Sequence, residues 1–412
     1  MTTPSGPPID AERVIADLRE LARRTSDDSG AQRLCWGENW RTAREFLREL
    51  LAEIGLQPEI DEAGNAWAYL PGKREPALAV GSHVDSVPNG GWLDGALGVM
   101  GALGVIRAWA GARGSPPRTL ALVDWADEEG ARFGRSLFGS SAAAGTFDPA
   151  ELADARDAEG RPAAEVLAEN GVELDRATDS RSRLERLGTY LELHIEQGPV
   201  LEAKGVRAAA VSGCAGVERV RFEIRGQASH AGTTPMDARH DAGLAAAAAA
   251  LRVEEIAASE GGVGTVGEID FKPGIPTAVP GLASMVVDLR NPSAEALARM
   301  LESARDAVAA CAAERGCEIS EEPVWRIEPI DFDDQLVALA REACGRVTGT
   351  PYVLASGALH DAASMAPHMP TAMVFSPSIA GISHASEEDT SEPDLRTAIE
   401  VLGELVELRL RD

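Results

Sequence analysis

The most informative pattern along the chain is a pair of short apolar runs, residues 77–81 and 119–123, each of which ends where polar residues begin. Continuous apolar runs of this length are typical of parallel strands that are buried on both faces. In open α/β sheets, ligands bind just beyond the carboxyl ends of such strands. The pattern therefore predicts a largely parallel sheet with chemically active side chains along one edge.

Helical periodicity surrounds these runs. Residues 10–25 carry apolar side chains at helical spacing, and Asp10 is placed to cap the first turn. Residues 39–54 form a second apolar stripe, which Gly55 ends. Further predicted elements are two short strands within 59–70, a helix at 96–110, a helical excursion at 150–188, a strand at 190–199, a helix at 333–348, strands at 351–355 and 371–375, and a helix at 393–410.

The pattern changes after about residue 206. Residues 219–225 alternate charged and apolar side chains, as in a strand that is exposed on one face. The elements that follow are predicted as a helix at 241–258, strands near 263–271 and 282–290, a helix at 294–314 and a strand at 317–327. This β-α-β-β-α-β order is that of a ferredoxin-like domain. We therefore predict that residues 208–326 form a second domain, inserted into a first domain made of residues 1–207 and 327–412.

Composition narrows the possible partners. A chain of 412 residues is too long for one ordinary core, which agrees with two domains. Its net charge of −27 argues against nucleic acid and anionic membranes, because their phosphates would be repelled, and its apolar stretches are too short or too interrupted to span a bilayer. The five cysteines are odd in number and include no C-x-x-C pair, which predicts a reduced, cytoplasmic protein.

The residues at the predicted strand ends suit a metal site. They are His83, Asp85, Asp94, Glu128 and Glu129. A nitrogen donor with several carboxylates is what a pair of divalent cations needs, so we predict half of a two-metal hydrolytic site. Taken singly, Asp94 could equally cap a helix, and Glu128 with Glu129 could be a solvated surface pair. Asp85 is placed to accept the second ring N–H of His83 and so fix its tautomer.

Two further histidines share this placement. His194 lies on the predicted strand 190–199, and His384 lies in a loop after the last strand. Both could complete the site at the same edge of the sheet. Of the other histidines, His360 is interpreted as a residue that lies behind the metal ligands and contacts them. His240 and His368 are interpreted as surface or structural residues.

Six motifs together resemble the hydantoinase/carbamoylase branch of the di-zinc aminoacylase and carboxypeptidase-type hydrolases. This branch includes N-carbamoyl-L-amino acid hydrolases, allantoate amidohydrolases and β-ureidopropionases. The motifs run in order as H83-V-D, G91-W-L-D-G-A-L-G-V99, E128-E-G-A-R-F133, H194-I-E-Q-G-P-V-L-E202, S229-H-A-G-T-T-P-M236 and S383-H. The fourth and fifth are long and specific to the branch, whereas H-x-D and E-E are shared more widely.

The resemblance implies a set of metal ligands. His83 and His194 would bind one divalent ion, Glu129 and His384 would bind the other, and Asp94 would bridge the two. The implied cofactors are two divalent metal ions per subunit. Zinc is the expected metal, and manganese, cobalt and nickel also suit a set of histidines and carboxylates.

The resemblance also implies a fold and a mechanism. The fold class would be α/β, with a di-metal catalytic domain whose mixed, largely parallel sheet is flanked by helices, plus an inserted ferredoxin-like α+β domain that serves as lid and dimer contact. Glu128 would be the general base for a water activated by the ions, and Asp85 would orient His83. In the implied homodimer, His230 would reach the partner's active site and polarise the substrate carbonyl.

The implied substrate pocket departs from the family at three positions. Val217 stands where allantoate-type relatives usually have glutamine, Thr277 where they commonly have asparagine, and Leu359 in place of glycine. Arg290, which would hold a substrate carboxylate, is retained, and Gln197 is also assigned to the substrate. Because the loss of a polar partner usually means that the substrate group has changed, we predict a bulkier or less polar substrate than ordinary allantoate or N-carbamoyl-α-amino acids.

The function predicted from the sequence is hydrolysis of a linear C–N bond in a small ureido compound, with release of ammonia and carbon dioxide. The alternative among enzymes is an N-acyl amino acid hydrolase or dipeptidase of the same superfamily. The motifs H-I-E-Q-G-P and S-H-A-G-T-T-P argue against it. A third hypothesis is a ligand-binding homologue without catalytic activity. Against this hypothesis, the sequence retains every implied metal ligand and the implied base.

Overall fold

The computed structural model describes residues 6–411, and the contacts within the chain divide it into two compact units. Unit 1 comprises Met1–Ser212, Asp331–Leu354 and Leu359–Asp412. Unit 2 comprises Gly213–Ile330 together with the short segment Ala355–Ala358. The sequence did not predict that this segment, which includes the last two residues of the strand Val353–Ser356, groups with unit 2.

The structure contains eleven α-helices and seventeen strands among the described residues. The helices are α1 (Ala11–Thr25), α2 (Glu38–Ala52), α3 (Ala96–Ala110), α4 (Phe138–Ala144), α5 (Ala163–Glu169), α6 (Val200–Lys204), α7 (Ala242–Ser259), α8 (Ala294–Ala313), α9 (Asp334–Thr348), α10 (Asp361–Met365) and α11 (Glu392–Arg411). The strands are β1 (Ser26–Asp27), β2 (Gly30–Ala31), β3 (Glu59–Ile60), β4 (Ala66–Leu70), β5 (Ala77–His83), β6 (Leu120–Trp125), β7 (Leu187–Ile195), β8 (Ala209–Cys214), β9 (Gly216–Arg225), β10 (Ser229–His230), β11 (Val263–Lys272), β12 (Ala278–Val279), β13 (Leu282–Asn291), β14 (Glu318–Ile327), β15 (Ile330–Asp331), β16 (Val353–Ser356) and β17 (Thr371–Ser376).

The larger sheet has nine strands in the order β15-β8-β17-β7-β5-β6-β4-β3, with β16 paired to β8. Its central strands are parallel, since β5 pairs in parallel with β6 and β7, and β17 pairs in parallel with β7. The strands β8, β4 and β3 run antiparallel to their neighbours. The carboxyl ends of four adjacent strands therefore lie at one edge of the sheet.

Burial explains the apolar runs in the sequence. All seven residues of β5 and all six of β6 are buried, as expected for central strands covered on both faces. Helix α3 packs against both strands, and α1 is capped by Asp10, whose side chain accepts the backbone N–H of Arg13 at 3.0 Å. These elements form one continuous apolar core in unit 1.

Unit 2 contains a four-stranded antiparallel sheet in the order β11-β13-β9-β14. Helices α7 and α8 pack on one face of this sheet, and the core contains Phe222, Val253, Met285 and Met300. Strand β13 alternates buried and half-buried residues along its whole length. The β-α-β-β-α-β order predicted from the sequence matches these elements.

Two segments differ from the prediction. The strand expected at 190–199 ends at Ile195, because the Glu196 carboxylate turns to accept the backbone N–H groups of Val200 and Leu201, both at 2.8 Å. The excursion at 150–188 has one short α-helix, α5, and is otherwise mostly the 3₁₀ helix Leu174–Arg186. Within residues 6–411, no helix is both long and apolar enough to cross a membrane.

Candidate metal centre

Three neighbouring strands bring distant parts of the chain to one edge of the sheet. His83 is the last residue of β5, and His194 lies one residue before the end of β7. Glu128 and Glu129 follow β6, after Asp127, whose left-handed φ of 57° turns the backbone. Since β6, β5 and β7 are adjacent and parallel, these four functional side chains are delivered to the same place.

Asp94 lies between two groups of candidate ligands. Its Oδ1 is 3.2 Å from Nε2 of His194 and 3.6 Å from Nε2 of His83. Its Oδ2 is 3.3 Å from Nε2 of His384, which in turn lies 3.4 Å from Oε2 of Glu129. In each group, one ligand atom from every residue lies within 4.8 Å of the others. The result is a first set, His83–Asp94–His194, and a second set, Asp94–Glu129–His384.

The loops that carry Asp94 and His384 have unusual backbone conformations. Gly95 has φ 62°, and a Cβ there would overlap the carbonyl and the ring of His83. Only glycine therefore lets α3 start this close to His83. His384 itself has φ 56°, which for a residue with a side chain costs of order 1–3 kcal/mol. Such strain is common at binding sites, where the surrounding structure imposes it.

Asp85 behaves differently from the expectation. Nδ1 of His83 lies 3.1 Å from the backbone carbonyl of Asp85 but 3.6 Å from its carboxylate, so the carbonyl is the nearer acceptor. The carboxylate accepts the backbone N–H of Glu128 at 3.3 Å and of Glu129 at 3.2 Å. Asp85 thus orients His83 through its main chain, and its side chain fixes the turn that presents both glutamates.

Burial and like charges shift the acid–base properties of the site. Burial raises the pKa of Glu128 well above its ordinary value, and burial beside Asp94 raises the pKa of Glu129 to about 7. Burial would also raise the pKa of Asp94, but hydrogen bonds from His194 and His384 hold it well below its usual range. The hydrogen bond to Asp94 raises the pKa of His384 to about 9. The cluster therefore favours bound positive charge.

These residues fit a pair of divalent metal ions. Each set offers imidazole nitrogen together with carboxylate oxygen, a combination that suits zinc, manganese, cobalt and nickel. Oε1 of Glu129 is buried and has no hydrogen-bond partner among residues 6–411. A buried carboxylate oxygen without a partner is costly, and a cation would remove that cost. The clustered ligands suggest a dinuclear site and leave the identity of the metal open.

Gln197, which the resemblance assigned to the substrate, contacts the second set. Its Nε2 donates to Oδ2 of Asp94 at 2.8 Å and to the Ser383 hydroxyl at 3.2 Å, and it lies 3.3 Å from Nε2 of His384. The residue also has a left-handed φ of 57°. Its amide therefore lies beside the carboxylate that the two sets share.

Sequence reasoning missed several buried polar groups behind the ligands. Glu192 accepts the Ser82 hydroxyl at 2.7 Å, and Arg33 is fully buried, with Nε donating to the Val84 carbonyl at 2.6 Å. Glu388 binds the backbone of the Asp94 loop. No signal separates Glu388 from its neighbours in the sequence, because it is the middle residue of the acidic run 387–389.

His360 lies directly behind a metal ligand. Its ring centroid is 4.4 Å from that of His194, and burial lowers the pKa of His360 well below its ordinary value. It is therefore neutral and packs against the His194 ring. His240 and His368 are both exposed, in agreement with their interpretation as surface residues.

Two residues assigned to the substrate lie together in unit 2. His230 in β10 pairs with Ala278 in β12, and the backbone N–H of Ala231 donates to the Thr277 carbonyl at 2.9 Å. Both His230 and Thr277 are exposed. The backbone N–H of Gly232 donates to Nδ1 of His230 at 3.1 Å, which places the proton of the neutral ring on Nε2. His230 can therefore donate a hydrogen bond from Nε2.

Val217 and Arg290 are also neighbours in unit 2, as cross-strand partners in β9 and β13. Val217 is buried, and Arg290 donates from Nε to Asp288 at 2.9 Å and from Nη1 to the Gly357 carbonyl at 2.9 Å. Within residues 6–411, these two hydrogen bonds use two of the five guanidinium N–H groups. Leu359 belongs to unit 1, where it is half-buried.

Residues 79–408 match the model of peptidase family M20/M25/M40. This chain belongs to that family. It is 36% identical to an N-carbamoyl-L-amino acid amidohydrolase from Geobacillus stearothermophilus, over 96% of this chain and 97% of the relative. It is 33% identical to an allantoate amidohydrolase from Escherichia coli strain K12, over 90% and 91%. The resemblance noted from the motifs is thereby confirmed.

The fold agrees with that of solved structures. A crystal structure of an amidase of the hydantoinase/carbamoylase family from Burkholderia multivorans superposes with a TM-score of 0.90 at 32% identity, covering 98% of this chain and 99% of that one. The predicted α/β fold class is thus confirmed. The relatives of this chain named above are amidohydrolases that act on linear C–N amide bonds, and the protein is a hydrolase of that kind.

Proposed function

We propose that this protein is a metal-dependent amidohydrolase that cleaves a linear C–N bond of a small ureido compound. The observation that carries this proposal is the position of Asp94 between the two ligand sets, with Glu128 beside them. The names of the relatives, N-carbamoyl-L-amino acid amidohydrolase and allantoate amidohydrolase, support a ureido group as the part of the substrate that reacts.

Glu128 is the proposed general acid and base. Two divalent ions held by His83, Asp94, His194, Glu129 and His384 would supply Lewis acidity, which activates water and polarises the carbonyl. Glu128, whose Oε2 lies 3.6 Å from Nε2 of His83, takes a proton from the attacking water and returns it to the leaving nitrogen. One water is consumed as the C–N bond breaks, and a ureido substrate yields the amine, ammonia and carbon dioxide.

His230 is the proposed donor to the substrate carbonyl. Its Nε2–H is free to donate, because Nδ1 accepts the N–H of Gly232. A donor aimed at an oxygen that becomes negative lowers the barrier. Arg290 is the proposed partner of a substrate carboxylate, with Asp288 fixing the plane of its guanidinium. Closure of unit 2 as a lid would bring these groups to the substrate.

A homodimer through unit 2 is part of this proposal. Strand β11 is an edge of the four-stranded sheet, and Val263 and Ile269 are 63% and 38% exposed. Helix α7, which packs beside β11, exposes Leu251 to 65%. The opposite edge, β14, is less suited to pairing, because Pro323 lacks an N–H and four of the other nine residues of the strand are charged. A second copy of the chain would cover the β11 edge and helix α7.

Sedimentation equilibrium tests the dimer. Leu251→Glu should shift the protein from dimer to monomer, because it places a charge in a buried contact. The control Arg252→Glu changes the charge at a neighbouring position that is already polar and exposed. Wild-type protein that remains monomeric at micromolar concentration would contradict the dimer and the role of His230 in a partner's site.

The substrate is proposed to be bulkier or less polar than allantoate. Val217 presents no hydrogen-bonding group beside Arg290, and Thr277 is shorter than asparagine beside His230. A site that lacks the glutamine and has a shorter polar side chain at position 277 gains less from the matching polar groups of allantoate.

A substrate panel with metal-reconstituted protein tests the activity. It contains N-carbamoyl amino acids, β-ureido acids, allantoate, ureidoglycolate and N-acyl amino acids, with ammonia as the readout. We expect ammonia from a ureido compound with a bulky or apolar side chain, and a low kcat/KM for allantoate. The double variant Val217→Gln, Thr277→Asn should raise kcat/KM for allantoate. Efficient turnover of allantoate by the wild type would contradict the altered pocket.

The same panel distinguishes ureido hydrolysis from the main alternative activity. The family includes peptidases, so an N-acyl amino acid hydrolase or dipeptidase is the second candidate. Such an enzyme would release an amino acid without ammonia. Release of free amino acid from N-acyl compounds only would favour that alternative.

A further inference from the structure

Glu388 joins the two loops that carry Asp94 and His384. It follows His384 by four residues and is only 1% exposed. Oε1 accepts the backbone N–H of Asp94 at 3.0 Å and that of Leu93 at 3.3 Å. Oε2 accepts the hydroxyl of Ser383, the residue before His384, at 2.8 Å. One carboxylate therefore holds the main chain of the shared ligand and the neighbour of the last ligand together.

The Asp94 loop leaves room for this carboxylate. A Cβ at Gly91 would overlap Oε1 and Cδ of Glu388, so the close approach requires glycine at that position. The buried guanidinium of Arg33 lies against the same loop, with Nη2 3.4 Å from the Gly91 carbonyl. Burial lowers the pKa of Arg33, and the nearby Glu388 carboxylate opposes that shift. The guanidinium in turn reduces the cost of burying Glu388, although burial and the nearby Asp94 still raise the pKa of Glu388.

The Ser383 hydroxyl has one proton and two possible acceptors. It lies 2.8 Å from Oε2 of Glu388 and 3.3 Å from Oδ2 of Asp94, so the shorter hydrogen bond goes to Glu388. Its oxygen accepts the amide of Gln197 at 3.2 Å. Glu388 thus accepts the hydrogen bond of the Ser383 hydroxyl, and Oδ2 of Asp94 is left with the amide of Gln197 at 2.8 Å as its hydrogen-bond donor in this loop.

We propose that Glu388 is a positioning residue for the second set, Asp94–Glu129–His384. It fixes the separation of the Asp94 and His384 loops and so sets the affinity of that set for a divalent ion. The first set takes its histidines from β5 and β7, and it depends on Glu388 only through the backbone of Asp94. This inference rests on the two-metal site of the proposed function.

Stepwise metal binding tests the inference. The full-length chain is depleted of metal and titrated with Co²⁺ against a chromophoric chelator, which resolves two dissociation constants. In Glu388→Ala, the dissociation constant of one ion should rise by about 10–100-fold, as is typical when a group that orients a ligand is removed. The dissociation constant of the other ion should change by less than about threefold. Excess metal should restore most of kcat, because the base is intact.

Two further variants complete the design. Glu387→Ala removes an exposed carboxylate next to Glu388 and should bind both ions like the wild type. Ser383→Ala keeps the link from Glu388 to Asp94 and loses only the link towards His384, so it should weaken the same ion by a smaller factor. It also provides the decisive measurement if Glu388→Ala does not fold.

Unchanged binding of the second ion in Glu388→Ala and Ser383→Ala would overturn the proposal. Equal weakening of both ions would also overturn it, since that result indicates general damage to the fold. A wild-type chain that binds fewer than two ions would overturn the proposed function as well. The two failures are therefore distinguishable.

Discussion

Glu128 and Glu129 are adjacent in the chain but face different groups. Oε2 of Glu128 lies 3.6 Å from Nε2 of His83, and Oε2 of Glu129 lies 3.4 Å from Nε2 of His384. Asp85 holds both backbone N–H groups, so the turn cannot rotate to exchange the two side chains. Glu129 thereby groups with Asp94 and His384, and Glu128 stays outside both ligand sets, as its proposed role in proton transfer requires.

Replacing the base should separate catalysis from metal binding. Glu128→Gln should lower kcat by roughly 10²–10⁴-fold, the usual contribution of a general acid–base group. Metal content should stay the same, because Glu128 is not in either ligand set. The measurements are steady-state kinetics and metal analysis of the same preparation, with Glu387→Gln as a surface control. Full activity of Glu128→Gln would contradict the assignment of Glu128 as the base.

Metal affinity of the second set should depend on pH. In the metal-free chain the pKa of His384 is about 9 and that of Glu129 is about 7, and both must lose a proton to bind an ion. Affinity should therefore rise by about tenfold per pH unit between pH 7 and 9, where only His384 releases a proton, and more steeply below pH 7. Chelator competition across this range measures the slope, and a flat profile would contradict the prediction.

At the scale of the element, helix α3 depends on small residues to reach the sheet. Gly98 is buried, and a Cβ there would clash with the Leu193 carbonyl and lie 2.6 Å from Cβ of Ser82. This close approach places the start of α3, and with it Asp94, beside the strand that carries His194.

Gly98→Ala should therefore destabilise the protein. We expect a loss of about 1–3 kcal/mol in the free energy of unfolding, the usual cost of overpacking a core. Gly111→Ala is the control, since Gly111 is exposed at the end of the same helix and a Cβ there would be 3.5 Å from the nearest atom. Urea denaturation of both variants measures the difference. Equal stability of the two would mean that α3 can shift without cost.

Elements with a clear period or a continuous apolar run were predicted well from the sequence. Strands β5 and β6 were recognisable because burial on both faces removes polar residues from the whole run. Helices α1 and α2 were recognisable because each buries only one face. The candidate ligands His83 and Glu129 were recognisable because they lie at or just after the ends of such strands, and Asp94 because it lies in the glycine-rich loop that leads into α3.

Elements buried by small side chains gave no comparable signal. All seven residues of α4, Phe138–Ala144, are buried, so the helix has no polar face and no period. Glu388 was missed for a related reason, since its role depends on a contact with Leu93 and Asp94, nearly three hundred residues earlier in the chain. Local pattern does not encode such a distant pairing.

At the scale of the whole molecule, the two units hold different parts of the proposed machinery. Both ligand sets and Glu128 belong to unit 1, and His230, Thr277, Val217 and Arg290 belong to unit 2. Neither unit contains a complete active site if His230 acts as proposed. Hydrolysis would then require unit 1 of one chain together with unit 2 of either the same chain or a partner.

Subunit mixing would distinguish these cases. His230→Ala and Glu128→Gln should each be nearly inactive as pure proteins. If His230 serves the partner's site, a mixed dimer has one site with both groups intact, and an equal mixture should regain about a quarter of wild-type activity. The check is ammonia release after the two variants are co-refolded. A mixture that stays inactive would mean that His230 acts within its own chain.

The position of β17 affects how a nascent chain can fold. This strand lies between β8 and β7 in the sheet, although Thr371–Ser376 is synthesised long after both. Until it leaves the ribosome, β7 and β8 each lack one neighbour, and unpaired strand edges invite pairing with other chains. Most of unit 2 is continuous in sequence and can fold during that interval. The yield of native protein should therefore depend on chaperones that shield those edges until translation is complete.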